Sequence, residues 1–181
     1  ERGYLYIAQP PLYRIKKGKT EHYLHDDKSF ENLVVNAGTE GIAVRGQKAN
    51  SDLAGHDLEQ VLKNVGDAEK ILAVFESEGL NREVVIAFAE QEGNASDYLN
   101  DKARLDKVAK DVDARLKRFS PNVSVAEFKL SDDMEHSKLR AVFTLVDLGG
   151  KSDTKIDYQI LSSEEFKRLQ SILTRTAHYG E

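Results

Sequence analysis

Cysteine is the most informative absence in this sequence of 181 residues. Without it, the chain has neither a disulfide framework nor a thiolate metal site. The longest apolar runs, such as residues 84–89, are far too short to span a bilayer. Internal repeats and low-complexity segments are absent as well. We therefore expect a cytoplasmic protein with no membrane partner.

The charge balance limits the classes of partner. There are 26 basic and 31 acidic residues, which gives a formal net charge of -5. Such a surface repels polyanions on average, so any contact with nucleic acid must be local. Hydrophobic residues make up 40% and charged residues 31%, the mix of a soluble globular protein. The length permits one domain, or one domain with an appendage.

A small β unit is predicted at the start of the chain. Residues 3–8 alternate between two faces, which is typical of a strand. The prolines at 10–11 cannot donate ladder hydrogen bonds, so the strand should stop there and resume over residues 12–16. Gly18 then predicts a turn, and residues 20–24 return as a second strand.

The middle of the chain is predicted to be mainly helical. Asp26 or Asp27 is the expected N-cap of a short helix over residues 28–33. We expect a second hairpin next, with strands over residues 33–36 and 41–45. Three longer helices are predicted over residues 57–76, from about Asn81 through 84–89, and over 101–119.

Strands return in the last third of the chain. Residues 123–130, 138–147 and 154–161 predict an antiparallel meander with polar turns at 131–136 and 149–153. Ser162 and Glu165 have the spacing of a capping box at the start of a final helix. Because strands and helices occur in blocks, the predicted class is α+β.

The stretch from Gly3 to Asp27 carries a specific pattern, GYLYIAQPPLYRIKKGKTEHYLHDD. Its centre, IAQPPLY at residues 7–13, is followed by basic residues, a glycine-lysine pair and a strand that contains tyrosine. This pattern resembles the gyrase B-subunit family just downstream of its acidic metal-binding motif. Residues 156–158 and 165–168 resemble the strand and helix that close an insert found in many Gram-negative members.

The resemblance implies two domains: residues 1–27 as strands of the metal-binding TOPRIM domain, and residues 28–181 as an inserted α+β domain. In this family the complete A2B2 enzyme, a type IIA topoisomerase, introduces negative supercoils into DNA with ATP and Mg2+. The implied partners are the remainder of the B subunit, the A subunit and double-stranded DNA. This segment is expected to hold no cofactor, metal or catalytic residue, since no Asp-x-Asp motif follows a predicted strand to hold Mg2+.

The cluster Arg14, Lys16, Lys17 and Lys19 opposes the acidic average of the chain. On a hairpin, these cations would neutralise phosphates of DNA held beside the metal site, without reading bases. The alternative is a solvated turn that protects an edge strand. The sequence leaves both interpretations open.

Two other local patterns have alternative interpretations. Residues 150–152 are similar to the end of a phosphate-binding loop, but Leu145 replaces the required first glycine, which favours a hairpin turn. The carboxylates and histidine of residues 132–136 would suit a cation or a weak hydrolase, although a solvated turn explains them too. For the whole chain, the alternative is a stand-alone α+β protein-interaction module.

Overall fold

The computed structural model describes residues 10–45 and 52–179, and the predicted strand over residues 3–8 lies outside this part. The chain divides into two compact units, the first ending at Lys63 and the second starting at Asn64. Helices and strands occur in blocks, so the α+β class is confirmed. These units are defined by their internal contacts and do not test the predicted domain boundary after residue 27, which stays a prediction. Among the described residues, no helix is both long and apolar enough to cross a membrane.

The hairpin predicted near Gly18 is confirmed. Strand β1 (Tyr13–Lys17) pairs antiparallel with β2 (Thr20–Leu24), and Tyr13 lies opposite Leu24. Gly18 adopts a φ of 62° in the connecting turn, a left-handed conformation that glycine reaches without strain. The turn therefore sets the register of every cross-strand pair in this hairpin.

The first helix, α1 (Asp27–Thr39), starts where the sequence predicts. The carboxylate of Asp26 accepts a hydrogen bond from the Ser29 amide at 2.6 Å and another from the Ser29 hydroxyl at 3.0 Å. These bonds hold the pKa of Asp26 below its ordinary value, with the backbone amide as the largest cause. Asp26 is therefore the cap, and the helix extends beyond its predicted end.

The second hairpin, predicted over residues 33–36 and 41–45, is wrong. Residues 33–36 lie inside α1, because apolar side chains at 30, 33, 34 and 37 have the spacing of one helix face. That periodicity outweighs the strand preference of two adjacent valines. Strand β3 (Ala43–Val44) pairs instead with β4 (Leu53–Ala54).

The longer helices are confirmed, with bounds shifted by a few residues. They are α2 (Gly55–Ser77), α3 (Arg82–Ala89) and α5 (Lys102–Phe119). Asn81 caps α3 by accepting from the amides of Glu83 and Val84, and Asp101 caps α5 by accepting from that of Arg104. The sequence does not predict the four-residue helix α4 (Ala95–Tyr98), since one turn is too short to show a period.

The three-stranded sheet of the second unit is an antiparallel meander in the order β5-β6-β7, as predicted. Its strands are β5 (Ser124–Asp133), β6 (Lys138–Asp147) and β7 (Gly150–Ile156). The third strand is misplaced in the prediction over 154–161. Only two residues separate β6 from β7, and the predicted polar turn at 149–153 lies mostly within β7.

Helices replace the predicted end of the third strand. Helix α6 (Tyr158–Ser162) begins there because Asp157 accepts a hydrogen bond from the Ile160 amide at 3.1 Å. The final helix, α7 (Glu164–Thr176), is capped by Ser163 rather than Ser162. The predicted capping box is therefore wrong by one residue, since α6 already occupies Ser162. A short 3-10 turn (Ala177–Tyr179) follows.

The core of the second unit lies between its helices and one face of its sheet. Phe143 on β6 is fully buried, with its ring centroid 6.2 Å from that of Phe88 and 4.8 Å from that of Phe128. Helices α5 and α7 each contribute an apolar stripe, as the sequence predicts. The buried residues of these stripes are Leu105, Val108, Val112, Leu116, Phe166, Leu169 and Ile172. This unit therefore buries a continuous apolar core.

Candidate nucleic-acid interface

The basic hairpin of β1 and β2 is the candidate site. Arg14 lies opposite Tyr23, and Lys16 lies opposite Glu21. Since strand residues two apart share a face, Arg14 and Lys16 lie on one face, and both are exposed. Lys19 follows Gly18 in the turn and is exposed too. The structure thus brings these cations together on one hairpin.

Lys17 completes the predicted cluster. Lys17 is the last residue of β1 and pairs with Thr20 through its backbone, while its side chain lies outside the described part of the structure. Its role in a phosphate contact stays a prediction.

Arg14 differs from the lysines because a carboxylate neutralises it. Its Nη2 lies 2.7 Å from Oε1 of Glu21, and the Tyr23 hydroxyl donates to the other oxygen of Glu21 at 2.9 Å. The bond from Arg14, and then that from Tyr23, hold the pKa of Glu21 below its ordinary value. Arg14 therefore contributes to the order of the hairpin surface more than to its net charge.

Among the described side chains of the cluster, Lys16 and Lys19 are the cations without a neutralising carboxylate. Within residues 10–45 and 52–179, neither side chain takes part in an ion pair. Lys16 lies opposite Glu21 in the register, yet that carboxylate is occupied by Arg14 and Tyr23. The sequence itself indicates that Lys16 lies opposite Glu21, because a two-residue turn after Lys17 fixes which residues face each other across the hairpin.

The opposite face of the hairpin is held by α1. The Tyr13 ring stacks on Phe30 with centroids 4.6 Å apart and planes 24° apart. The Tyr13 hydroxyl donates a hydrogen bond to Asp27, which is the largest cause of the raised pKa of Tyr13. These contacts orient the hairpin on α1 and leave Arg14, on the other face, exposed.

The acidic segment 132–136 forms a structural hydrogen-bond cluster. Asp133 is only 5% exposed, and its Oδ2 lies 2.9 Å from Nδ1 of His136. Its other oxygen accepts from the Glu135 amide at 3.2 Å. The hydrogen bond with His136 is the largest cause of the lowered pKa of Asp133. The part of the chain that the structure describes contains no group of three or more histidine or acidic side chains arranged for a metal ion.

Residues 150–152 lie in a hairpin, as interpreted. Asp147 and Gly150 form the pair that closes the turn between β6 and β7, and Ser152 lies inside β7 rather than at the start of a helix that could receive a phosphate. Gly150 has a φ of 127° at the start of its strand. The resemblance to a phosphate-binding loop is therefore limited to three letters of sequence.

Comparison with known proteins identifies the segment that contains the hairpin. A family model described as "GyrB, hook" matches residues 11–33, which cover both strands and the first half of α1. The B subunit of the type 2 topoisomerase from Aquifex aeolicus is 28% identical over 175 residues, or 93% of this chain. The B subunit of DNA gyrase from Caulobacter vibrioides is 54% identical over 41 residues, or 23% of the chain. The chain is therefore similar to gyrase-type B subunits.

These B subunits are much longer than the chain. It spans 20% of the Aquifex protein and 5% of the Caulobacter protein. The B subunit of DNA gyrase from Helicobacter pylori is 38% identical over 63 residues, which cover 35% of the chain and 7% of that protein. The chain therefore spans well under two thirds of the length of the curated relatives it matches.

Proposed function

We propose that this chain is a non-catalytic scaffold segment of a gyrase-type B subunit, with its basic hairpin in contact with the DNA backbone. The observation that carries the proposal is the coincidence of two features. The family match over residues 11–33 contains the same hairpin on which Lys16 and Lys19 are exposed and free of ion pairs among the described residues. Unpaired exposed lysines suit phosphate contacts, which fix position without reading bases.

The chemistry of the complete enzyme is assigned, in this proposal, to other parts of it. The TOPRIM carboxylates would hold Mg2+ for DNA cleavage and religation, a separate domain would hydrolyse ATP, and the A subunit would supply the nucleophilic tyrosine. Negative supercoiling is thus proposed for the complete A2B2 assembly, acting on DNA in the cytoplasm. The residues of this chain would shape the metal-binding domain and its contacts with DNA and the A subunit.

The DNA contact is tested by neutralising Lys16 and Lys19 in the intact B subunit. Each phosphate contact releases about one counterion, so losing two should reduce the slope of log affinity against log salt by about 2. The measurement is a series of DNA-binding isotherms at several salt concentrations, with Lys16→Gln and Lys19→Gln combined. Weakening should be similar for different DNA sequences, because phosphate contacts carry no base information.

The second unit offers a matched control. Lys151 and Lys155 lie on β7, are exposed, and have no ion pair within the described part of the chain. Lys151→Gln with Lys155→Gln removes the same charge and should leave the slope unchanged. An unchanged slope in the hairpin variant, or an equal reduction in both variants, would contradict the proposed contact.

A further inference from the structure

A polar pocket of about 390 Å³ lies within the second unit. Its volume is in the range of small-molecule sites, about 300 to 1,000 Å³. Six of its lining side chains carry a charge or a hydroxyl group: Glu90, Glu92, Tyr98, Arg104, Lys107 and Asp111. The residues at 104, 107 and 111 share one face of α5, because they are three and four positions apart.

Side-chain amides hold the wall of this pocket in place. Nε2 of Gln170 on α7 donates to the carbonyl oxygens of Gln91 and Gly93, both at 3.0 Å. Nε2 of Gln91 donates to the Ala87 carbonyl at 3.0 Å and to Oδ2 of Asp111 at 3.2 Å. The loop after α3 is therefore tied to both α5 and α7, so the pocket is formed before any ligand binds.

The Tyr98 hydroxyl is a buried group without a partner. Tyr98 is only 3% exposed, and its hydroxyl makes no hydrogen bond among the described residues. Burial is the largest cause of the raised pKa of Tyr98, so the hydroxyl keeps its proton and acts as a donor. Cζ of Arg104 lies 5.2 Å from the centre of the Tyr98 ring. A donor beside a cation suits a ligand group that carries negative charge.

Two of the three carboxylates in the lining are already engaged. Both oxygens of Glu90 accept from Nη1 of Arg115 at 2.7 Å, and Asp111 accepts from the side-chain amide described above. Glu92 and Lys107, by contrast, have no ion pair within the part of the chain that the structure describes. The pocket thus offers one anion and one cation that are not neutralised, together with the hydroxyl donor.

These three groups determine the class of ligand. Three carboxylates and two cations give the lining a net charge of -1, which disfavours a phosphate dianion. The described residues contain no group of three or more histidine or acidic side chains arranged for a metal ion. A zwitterion is neutral overall, and its two charges match the two that are free.

We propose that this pocket binds a small zwitterion of the amino-acid class, either a free amino acid or a short peptide. The ligand carboxylate pairs with Lys107 and accepts from the Tyr98 hydroxyl, while its ammonium group pairs with Glu92. The pocket belongs to the second unit and the basic hairpin to the first, so this site is independent of the proposed DNA contact.

Binding to the chain is measured by the chemical shifts of its isotope-labelled backbone amides. The probes are glycine and glycylglycine, with N-acetylglycine and glycinamide as forms of glycine that each lack one charge. We expect shifts at the amides of Gly93 and Tyr98 with the zwitterions, and binding about tenfold weaker for both blocked forms, because each loses a charge-assisted hydrogen bond. Tighter binding of glycine would identify a free amino acid as the source, and tighter binding of glycylglycine a peptide.

Tyr98→Phe separates a ligand-binding role from a structural one. The hydroxyl has no partner among the described residues, so its removal should leave Tm unchanged or raise it, while zwitterion binding weakens about tenfold. Lys107→Gln should abolish the preference for glycine over glycinamide. Lys110→Gln, also exposed on α5 but outside the lining, is the matched control and should keep that preference.

Four results would overturn the proposal. The first is equal binding of glycine and its blocked forms, and the second is the absence of shifts with the zwitterions in large excess. The third is binding of inorganic phosphate at these amides in place of the zwitterions, which would identify an anion site. The fourth is a Tyr98→Phe variant with a lowered Tm and unchanged zwitterion binding, which would identify a structural hydroxyl.

Discussion

Arg115 offers the sharpest test of how the second unit is held together. Its Nε lies 3.2 Å from Oε2 of Glu83, and its Nη1 lies 2.7 Å from both carboxylate oxygens of Glu90. The Glu83 side chain is only 8% exposed, while that of Arg115 is 20% exposed. Replacing Arg115 with methionine would keep most of the side-chain packing. It would leave the nearly buried carboxylate of Glu83 without its ion-pair partner at position 115.

The expected cost follows from what remains near Glu83. Removing one partner of a buried ion pair typically costs about 3 to 5 kcal/mol. Arg82 stays near, with its Nε 4.0 Å from Glu83, so we expect the lower end of that range, about 3 kcal/mol. For a unit of this size, such a loss lowers Tm by about 10 °C.

Thermal and urea unfolding followed by far-UV circular dichroism would measure this loss. The double variant Glu83→Gln with Arg115→Met removes the buried charge as well, and should recover most of the stability lost in the single variant. A single variant that loses less than about 0.5 kcal/mol would refute the reasoning, because surface pairs have that value. A double variant as unstable as the single one would refute it too.

Three further predictions concern the second unit. Ser163→Ala should cost about 1 kcal/mol because Ser163 caps α7, whereas Ser162→Ala should cost much less; urea midpoints compare them. Phe143→Ala should cost about 3 to 5 kcal/mol in the same assay, since it empties the centre of a core. The pKa of Asp133 is lowered by His136, so its contribution is present above the unfolded value near 3.8 and lost as pH falls through the folded value. Asp133→Asn should therefore lose less stability than the wild type between neutral and acidic pH, and an equal loss would count against the pairing.

Long periodic segments of the fold can be predicted from sequence. The stripe of α5 and the alternation of β6 are strong because each spans several repeats of its period. Two valines favour a strand locally at residues 33–36, while the continuing helix face decides the outcome. The spacing of Ser162 and Glu165 misleads because α6, a helix of five residues that already contains Ser162, is too short to produce a visible period in the sequence.

The sequence predicts which cations make up the candidate site. It does not predict which of them are neutralised by a carboxylate. Sequence places Arg14, Lys16 and Lys19 close together, since a glycine turn brings both ends of a hairpin into one surface. It does not distinguish the arginine bound by Glu21 from the lysines that have no ion pair among the described residues. That distinction depends on cross-strand geometry and decides which substitutions test DNA binding.

A groove between the hairpin and α1, lined in part by Ile15, Leu33 and Val34, has no signal in the sequence. Ile15, Leu33 and Val34 have the spacing of buried positions in a strand and a helix, which predicts that they are covered. Periodicity identifies an apolar face, yet it gives no information about whether the covering surface lies in the same segment. The exposure of Val34 in the structure supplies that information.

A plasmid topology assay tests the central proposal, namely that this chain would support gyrase-type chemistry only as part of a B subunit. Relaxed plasmid, the A subunit, ATP and Mg2+ are combined with either the isolated chain or the intact B subunit. We predict that the isolated chain leaves the plasmid relaxed and uncut, while the intact subunit introduces negative supercoils. Cleavage, religation or supercoiling with the isolated chain in place of the complete B protein would contradict the claim.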